Sequence, residues 1–169
     1  MFKPTKLFWK AGKHVLRYIR GTSGYGLWYR QEDGVKLCGF TDVDWAGSPT
    51  DRKSTSGGIF SIGSKIVSWY SRKQRSVALS SAEAEYMAAS LAACEAIWMR
   101  KILVGLFGSP LDPTVIYCEN QSCIKLSANP IFHDRSKHIN IRYHYIRDCV
   151  QRRIMLLSYI PTRIRMLIS

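Results

Sequence analysis

Acidic residues are scarce in this sequence: 12 Asp and Glu stand against 25 Lys and Arg, leaving a formal net charge of +13 over 169 residues. A balance that basic suits a polyanionic partner, nucleic acid first, although charge by itself serves a merely cationic, soluble surface equally well. Long apolar runs are also missing. No stretch approaches the roughly 20 residues of a membrane span, and the opening MFKPTKLFWKAGK lacks the apolar core of a secretion signal. Paired cysteine spacing is absent as well. Cys38, Cys94, Cys118, Cys123 and Cys149 are odd in number and widely separated, which indicates neither a zinc site nor a disulfide framework. They read as small buried hydrophobes of a reducing compartment. The expectation is a soluble, intracellular protein with no internal repeat and no low-complexity tract. Its 46% hydrophobic content supports one core, with a short N-terminal appendage.

What is present is a succession of short patterned segments. From Pro4 to Ile19 the apolar positions Leu7, Ala11, Val15, Tyr18 and Ile19 predict an amphipathic helix, ended by Gly21. YGLWYR, the turn QEDG and VKLCGFTDVDW predict a hairpin across Tyr25 to Trp45. GIFSIG and KIVSWYSRKQ predict a second strand pair, with Trp69 and Tyr70 read as packing residues. Ser80 and Ser81 precede Glu83 as an N-cap to the long helix AEAEYMAASLAACEAIWMRKILVGLFG. VIYCEN predicts a buried strand, QSCIKLSAN a short helix, Lys137 to Arg153 a basic helix and MLLSYIPT a last strand. Three antiparallel strands followed by helix, strand, helix and strand describe an α/β layered fold.

The informative residues are acids where apolar side chains are expected. Asp42 and Asp44 lie two apart in a strand and share one face, opposite Thr41 and Val43; a strand ending at Phe40 would instead make them loop caps. Glu85 lies on the helical stripe of Ala88, Ala89, Ala92, Ala96 and Met99, an early position that a simple dipole contribution would also explain. Glu119 ends the strand VIYC just before a helix, where ligand groups gather in open α/β sheets. Together, Asp42, Glu85 and Glu119 form an oxygen-ligand set suited to magnesium, and two such ions about 4 Å apart support phosphodiester hydrolysis.

At these residues the sequence resembles a known family. The block from LCGFTDVDWAGSPTDRKSTSGG through SVALSSAEAEYMAAS, continued by VIYCENQSCIKLSANPIFHDRSKHINIRYHYIRD, resembles the ribonuclease H domain of copia-type retrotransposon Pol polyproteins. The opening FWKAGKHVLRYIRGTSGYGLWY resembles the segment that joins reverse transcriptase to that domain. The resemblance implies a ribonuclease H-like fold over residues 23–162, with a five-stranded mixed sheet of three antiparallel and then two parallel strands flanked by helices. Residues 1–22 would be a remnant of the reverse transcriptase connection, and 163–169 a tail outside the family pattern. It implies hydrolysis of the RNA strand of RNA–DNA hybrids with magnesium, or manganese, as the cofactor. Asp42, Glu85 and Glu119 take the catalytic and metal-binding positions. Arg52, Lys53, Ser54, Asn120, Gln121 and His138 are expected to touch nucleic acid. The implied partners are the hybrid and the reverse transcriptase portion of the same polyprotein, with no membrane and no small-molecule cofactor. The implied setting is the cytoplasm, in a virus-like particle, and the nucleus.

Three positions depart from the family pattern. Glu119 stands where the family carries Asp, Asn140 where it carries Asp, and RIRMLIS after Thr162 where it carries a further catalytic carboxylate. The last is expected to reflect a frameshift, a truncation or a splice end. The departures predict an attenuated or inactive nuclease, with a non-catalytic nucleic-acid-binding relic as the alternative.

Overall fold

The computed structural model describes residues 5–29, 34–128 and 140–161, in two compact units, Met1–Gln31 and Glu32–Ser169. In the first, α1 (Lys6–Gly21) begins where the Thr5 hydroxyl accepts the Phe8 N–H at 3.4 Å. It ends at Thr22, whose N–H and hydroxyl both return to the Tyr18 carbonyl. Its apolar residues, Leu7, Phe8, Val15 and Leu16 among them, are exposed. Residues 25–29 form no strand, so the expected hairpin loses its first arm; alternation alone does not make a strand where no ladder takes up the backbone N–H and C=O groups. The expected turn falls mostly outside the described residues.

The second unit is built on β1 (Leu37–Asp44), β2 (Thr55–Ile62), β3 (Lys65–Lys73), β4 (Thr114–Cys118) and β5 (Met155–Tyr159). The sheet order is β3-β2-β1-β4-β5. β1, β2 and β3 pair antiparallel, while β4 runs parallel to both β1 and β5. This is the ribonuclease H-like mixed sheet that the resemblance implies.

The long helix α2 (Ser81–Phe107) covers the centre of the sheet. Ser80 Oγ accepts the Glu83 N–H at 3.2 Å, and Glu83 returns its carboxylate to the Leu79 N–H at 2.8 Å, satisfying two donors at the helix start. Gly108, at φ +66°, closes the helix in the left-handed conformation. Its face of small residues, Ala88, Ala89, Ala92, Ala93 and Ala96, is fully buried and lets the helix backbone lie close to the strands. Phe60, Ile116, Met155 and Tyr86 fill the core between them. Gly39 makes room for Phe60, since a Cβ there would meet the ring at 2.8 Å. Arg100 fixes the descent into β4 by donating to the Leu111 and Asp112 carbonyls and the Thr114 hydroxyl.

The helices α3 (Gln121–Ala128) and α4 (Asn140–Gln151) complete the unit. The residues before Asn140 in the expected basic helix, and Thr162 onward in the expected last strand, lie outside the described residues. The five thiols are free, with Cys118, Cys123 and Cys149 buried as expected, and Cys94 exposed against expectation. Trp69 also departs from the sequence reading. It is 68% exposed, because β3 is the edge strand and that face of it carries no covering element among the described residues. Among the described residues no helix is long and apolar enough to cross a membrane.

Candidate active site

β1 and β4 are neighbouring parallel strands whose register pairs Cys38 with Val115, Gly39 with Ile116 and Phe40 with Tyr117. Two residues beyond the last pair lie Asp42 on one chain segment and Glu119 on the other, so these acids occupy equivalent places at adjoining carboxyl ends. Period-2 alternation puts both on the sheet face of the Phe40–Tyr117 ring stack, whose centroids are 5.0 Å apart. Asp42 is half-buried and lies at the end of a groove of about 580 Å³ that also exposes Phe40, Ile59 and Trp69. The burial alternation of β1 confirms that Thr41 turns the other way, into the protein.

Glu85 comes to the same strand end from the helix. It is buried, 8% exposed, and its charge bears on the thiols of Cys118 and Cys123. The Cys123 thiol is pushed well above its usual range by the hydrogen bond it shares with Cys118, by burial, and by the Cys118 and Glu85 charges. The Cys118 thiol is lowered, Cys123's hydrogen bond outweighing burial and Glu85. Ala84, the residue before Glu85 on α2, belongs to a buried cluster against which Val43, the residue after Asp42, packs, and Oε2 of Glu85 and Oε1 of Glu119 are both buried oxygens.

The loop after β1 is held tightly. Asp44 folds its carboxylate over Gly47, into the space that a Cβ at that position would take. Ala46 and Arg52 both adopt positive φ, near 52° and 53°. Ser54 is fully buried and its hydroxyl accepts the Ala46 N–H at 3.0 Å. Ser54, expected to touch nucleic acid, is thus placed inside the loop as its clasp. Arg52 is exposed and Lys53 half-buried. Lys73 of β3 closes the loop from outside, pairing with Asp51 at 2.8 Å and donating to Ser48 Oγ at 3.0 Å. That Lys73 contact is the main reason the Asp51 carboxyl is held well below the usual carboxylate range. Asn120 also serves the backbone: its Oδ1 accepts the N–H groups of Ser122 and Cys123, capping α3. Gln121 is exposed at the start of that helix. His138 lies outside the described residues.

Sequence reading overlooked Gln74, a buried amide just past β3 whose Nε2 donates to Ser56 Oγ at 3.0 Å and to the Ala84 carbonyl at 2.9 Å. Nothing in the local pattern marks it, because its two partners come from β2 and α2.

Oxygen-only donors fit magnesium in kind. Among the described residues no three His, Cys, Asp or Glu side chains close on one point as a finished metal cluster would. Magnesium does not need such a shell, since it usually keeps several waters and takes one or two carboxylates with substrate phosphates supplying the rest.

The strand order, the covering helix and the acids at adjoining strand ends define a ribonuclease H-like domain. No protein-family model matches the chain. It is 45% identical over 147 residues to the retrovirus-related Pol polyprotein from transposon TNT 1-94 of Nicotiana tabacum, covering 87% of this chain and 11% of that protein. It is 40% identical over 162 residues to the corresponding polyprotein from transposon RE2 of Arabidopsis thaliana, covering 96% and 11%. Over most of its length the chain is similar to retrovirus-related Pol polyproteins from transposons, and it spans about a tenth of the length of these relatives. Among solved structures, LC11-RNase H1 isolated from compost superposes with a TM-score of 0.57 at 12% identity, covering 79% of this chain and 90% of that one. The same protein in complex with an RNA/DNA hybrid gives 0.52 at 12% identity, covering 76% and 87%. At that identity the likeness shows the fold.

Proposed function

We propose that this chain is a retrotransposon ribonuclease H that hydrolyses the RNA strand of RNA–DNA hybrids with magnesium, slowed by Glu119. The observation that carries the reading is the equivalent placement of Asp42 and Glu119 at adjoining strand ends, with buried Glu85 reaching the same end from α2. Asp42 and Glu119 would hold the cation from the sheet, and Glu85 from the helix. When bound, the metal supplies an activated water and neutralises charge on the leaving oxygen. The net charge of +13 supplies long-range attraction for the phosphate backbone, and the fold shared with a protein solved on an RNA/DNA hybrid supports the substrate class. Recognition through backbone and 2′-hydroxyl contacts suits an enzyme that must cut at any sequence. The reverse transcriptase portion of the polyprotein is the natural neighbour of the domain.

Glu119 carries one methylene more than Asp, which moves its carboxylate by about 1.5 Å. A 1 Å misplacement already costs on the order of a hundredfold in rate. Cleavage of an end-labelled hybrid in magnesium or manganese, with EDTA and a DNA duplex of the same sequence as controls, tests the reading. RNA-strand cleavage is expected only with metal, and Glu119→Asp is expected to raise its rate by about a hundredfold. Equal cleavage of the DNA duplex, or no cleavage from either version, would overturn the proposal.

A further inference from the structure

The first unit of the chain has no acid. The first Asp or Glu in the sequence is Glu32, just past the boundary at Gln31, while α1 alone carries Lys6, Lys10, Lys13, Arg17 and Arg20. At 3.6 residues per turn these cations fall within an arc of about 80° around the helix, with His14 and Gly21 beside them. The other side, about 200° of the circumference from Leu7 round to Trp9, carries apolar and aromatic side chains and Gly12. Phe8, Val15, Leu16 and Ile19 on that side are each more than half exposed, and no residue of α1 is buried. Lys13 Nζ lies 5.3 Å from the centroid of the Trp9 ring, so a cation and an amphipathic ring meet at the border between the two sides.

Three kinds of occupant meet these two sides differently. A helix docked on one protein surface presents an apolar stripe on the order of 100° wide, about half of what α1 exposes. A nucleic acid backbone engages the cations and leaves the apolar side in water. An anionic bilayer surface takes both at once. A helix lying in its plane buries the apolar side about 5–10 Å into the boundary of headgroups and acyl chains and keeps Lys and Arg among the headgroups, at the level where Trp and Tyr rings also settle. Such a helix need not span. Among the described residues no helix is long and apolar enough to cross a membrane, and α1, 16 residues long, has only to lie on one.

We infer that α1 is an interfacial helix that holds this chain on an anionic bilayer surface, with Phe8, Val15, Leu16 and Ile19 in the acyl boundary and its Lys and Arg on the lipid headgroups. The inference departs from the membrane-free set of partners expected from the resemblance. It concerns α1 by itself and is independent of the nuclease reading. Binding of this kind needs both sides of the helix, because buried apolar area and attraction to anionic lipid add. Near such a surface each Lys or Arg contributes about fivefold in partitioning.

Cosedimentation of the full chain in EDTA with vesicles of phosphatidylcholine, with and without phosphatidylserine, tests the inference. Binding is expected to the mixed vesicles and is expected to weaken by about a hundredfold or more on phosphatidylcholine alone. Lys10→Gln, Lys13→Gln and Arg17→Gln together are expected to lower binding by about a hundredfold, while Lys36→Gln, Lys101→Gln and Lys125→Gln, at exposed cations of the other unit, leave it nearly unchanged. Leu16→Glu, with the second unit verified as folded by its melting curve, is expected to lose about tenfold or more. Brominated acyl chains are expected to quench tryptophan fluorescence less in Trp9→Phe than in the unaltered chain. Equal losses from the two triple variants overturn the inference, as does a Leu16→Glu chain that binds as before or quenching that Trp9→Phe leaves unchanged. Failure to bind the mixed vesicles also overturns it, and a dimer in sedimentation equilibrium that Leu16→Glu dissociates would then assign the apolar side to a second copy. Vesicle binding without hybrid cleavage upholds the helix against the nuclease, and cleavage without vesicle binding does the reverse.

Discussion

Asp42→Asn, introduced into the Glu119→Asp chain, is expected to lower hybrid cleavage by about a thousandfold while leaving the fold in place. The substitution keeps the size and shape of the side chain and removes its charge. Asp42 is half-buried at the end of β1, and its backbone remains paired with Gly57 across the β1–β2 ladder, so little packing changes. Catalysis is affected much more. A metal ion supplies several kcal/mol of transition-state stabilisation, and each 1.36 kcal/mol is a factor of ten in rate. Single-turnover cleavage of labelled hybrid measures the loss, and an unchanged melting temperature shows that the fold persists. Asp44→Asn makes an instructive comparison, because that carboxylate packs on Gly47 in the loop; its effect is expected on stability and not on the cleavage step.

Phe60→Ala is expected to destabilise the protein by roughly 3–5 kcal/mol, the range found for emptying a buried aromatic site. Phe60 is wholly buried at the centre of β2, fits over Gly39 and meets Tyr70 with ring centroids 6.4 Å apart. The neighbouring backbone is held in a five-stranded ladder and cannot collapse into the space. The drop appears as a lower urea midpoint at unchanged slope. Trp69→Ala, an equally large truncation on an exposed edge-strand site, is expected to cost far less, within about 0.5 kcal/mol.

Much of the fold is legible in the sequence because its signals are local. The small-residue stripe of α2, its Ser80 cap and its Gly108 stop depend only on 3.6-residue periodicity and on end groups. The acids Asp42 and Glu119 stand out against apolar strand positions, and their places at adjoining strand ends follow from the parallel β1–β4 pairing. What could not be read depends on partners distant in sequence. The exposure of Trp69 follows from the position of β3 at the sheet edge, which its own alternation does not encode. Ser54 and Asn120 look like ligand-binding polar residues until the Ala46, Ser122 and Cys123 N–H groups that occupy them are placed. Gln74 acquires its fixed orientation only when β2 and α2 converge on it. The segment around Tyr25 alternates like a strand and forms none, because alternation reports a possible face and not a neighbour.

We propose that carboxylates from separate elements act as one metal site, and a double-variant comparison in the Glu119→Asp chain tests this directly. Cleavage rates are measured for Asp42→Asn, Glu85→Gln and the two combined. If the groups serve one site, the combined variant is expected to be about as slow as the slower single variant, since removing either ligand already disables the unit. Losses that multiply independently, or full activity in either single variant, would contradict the claim.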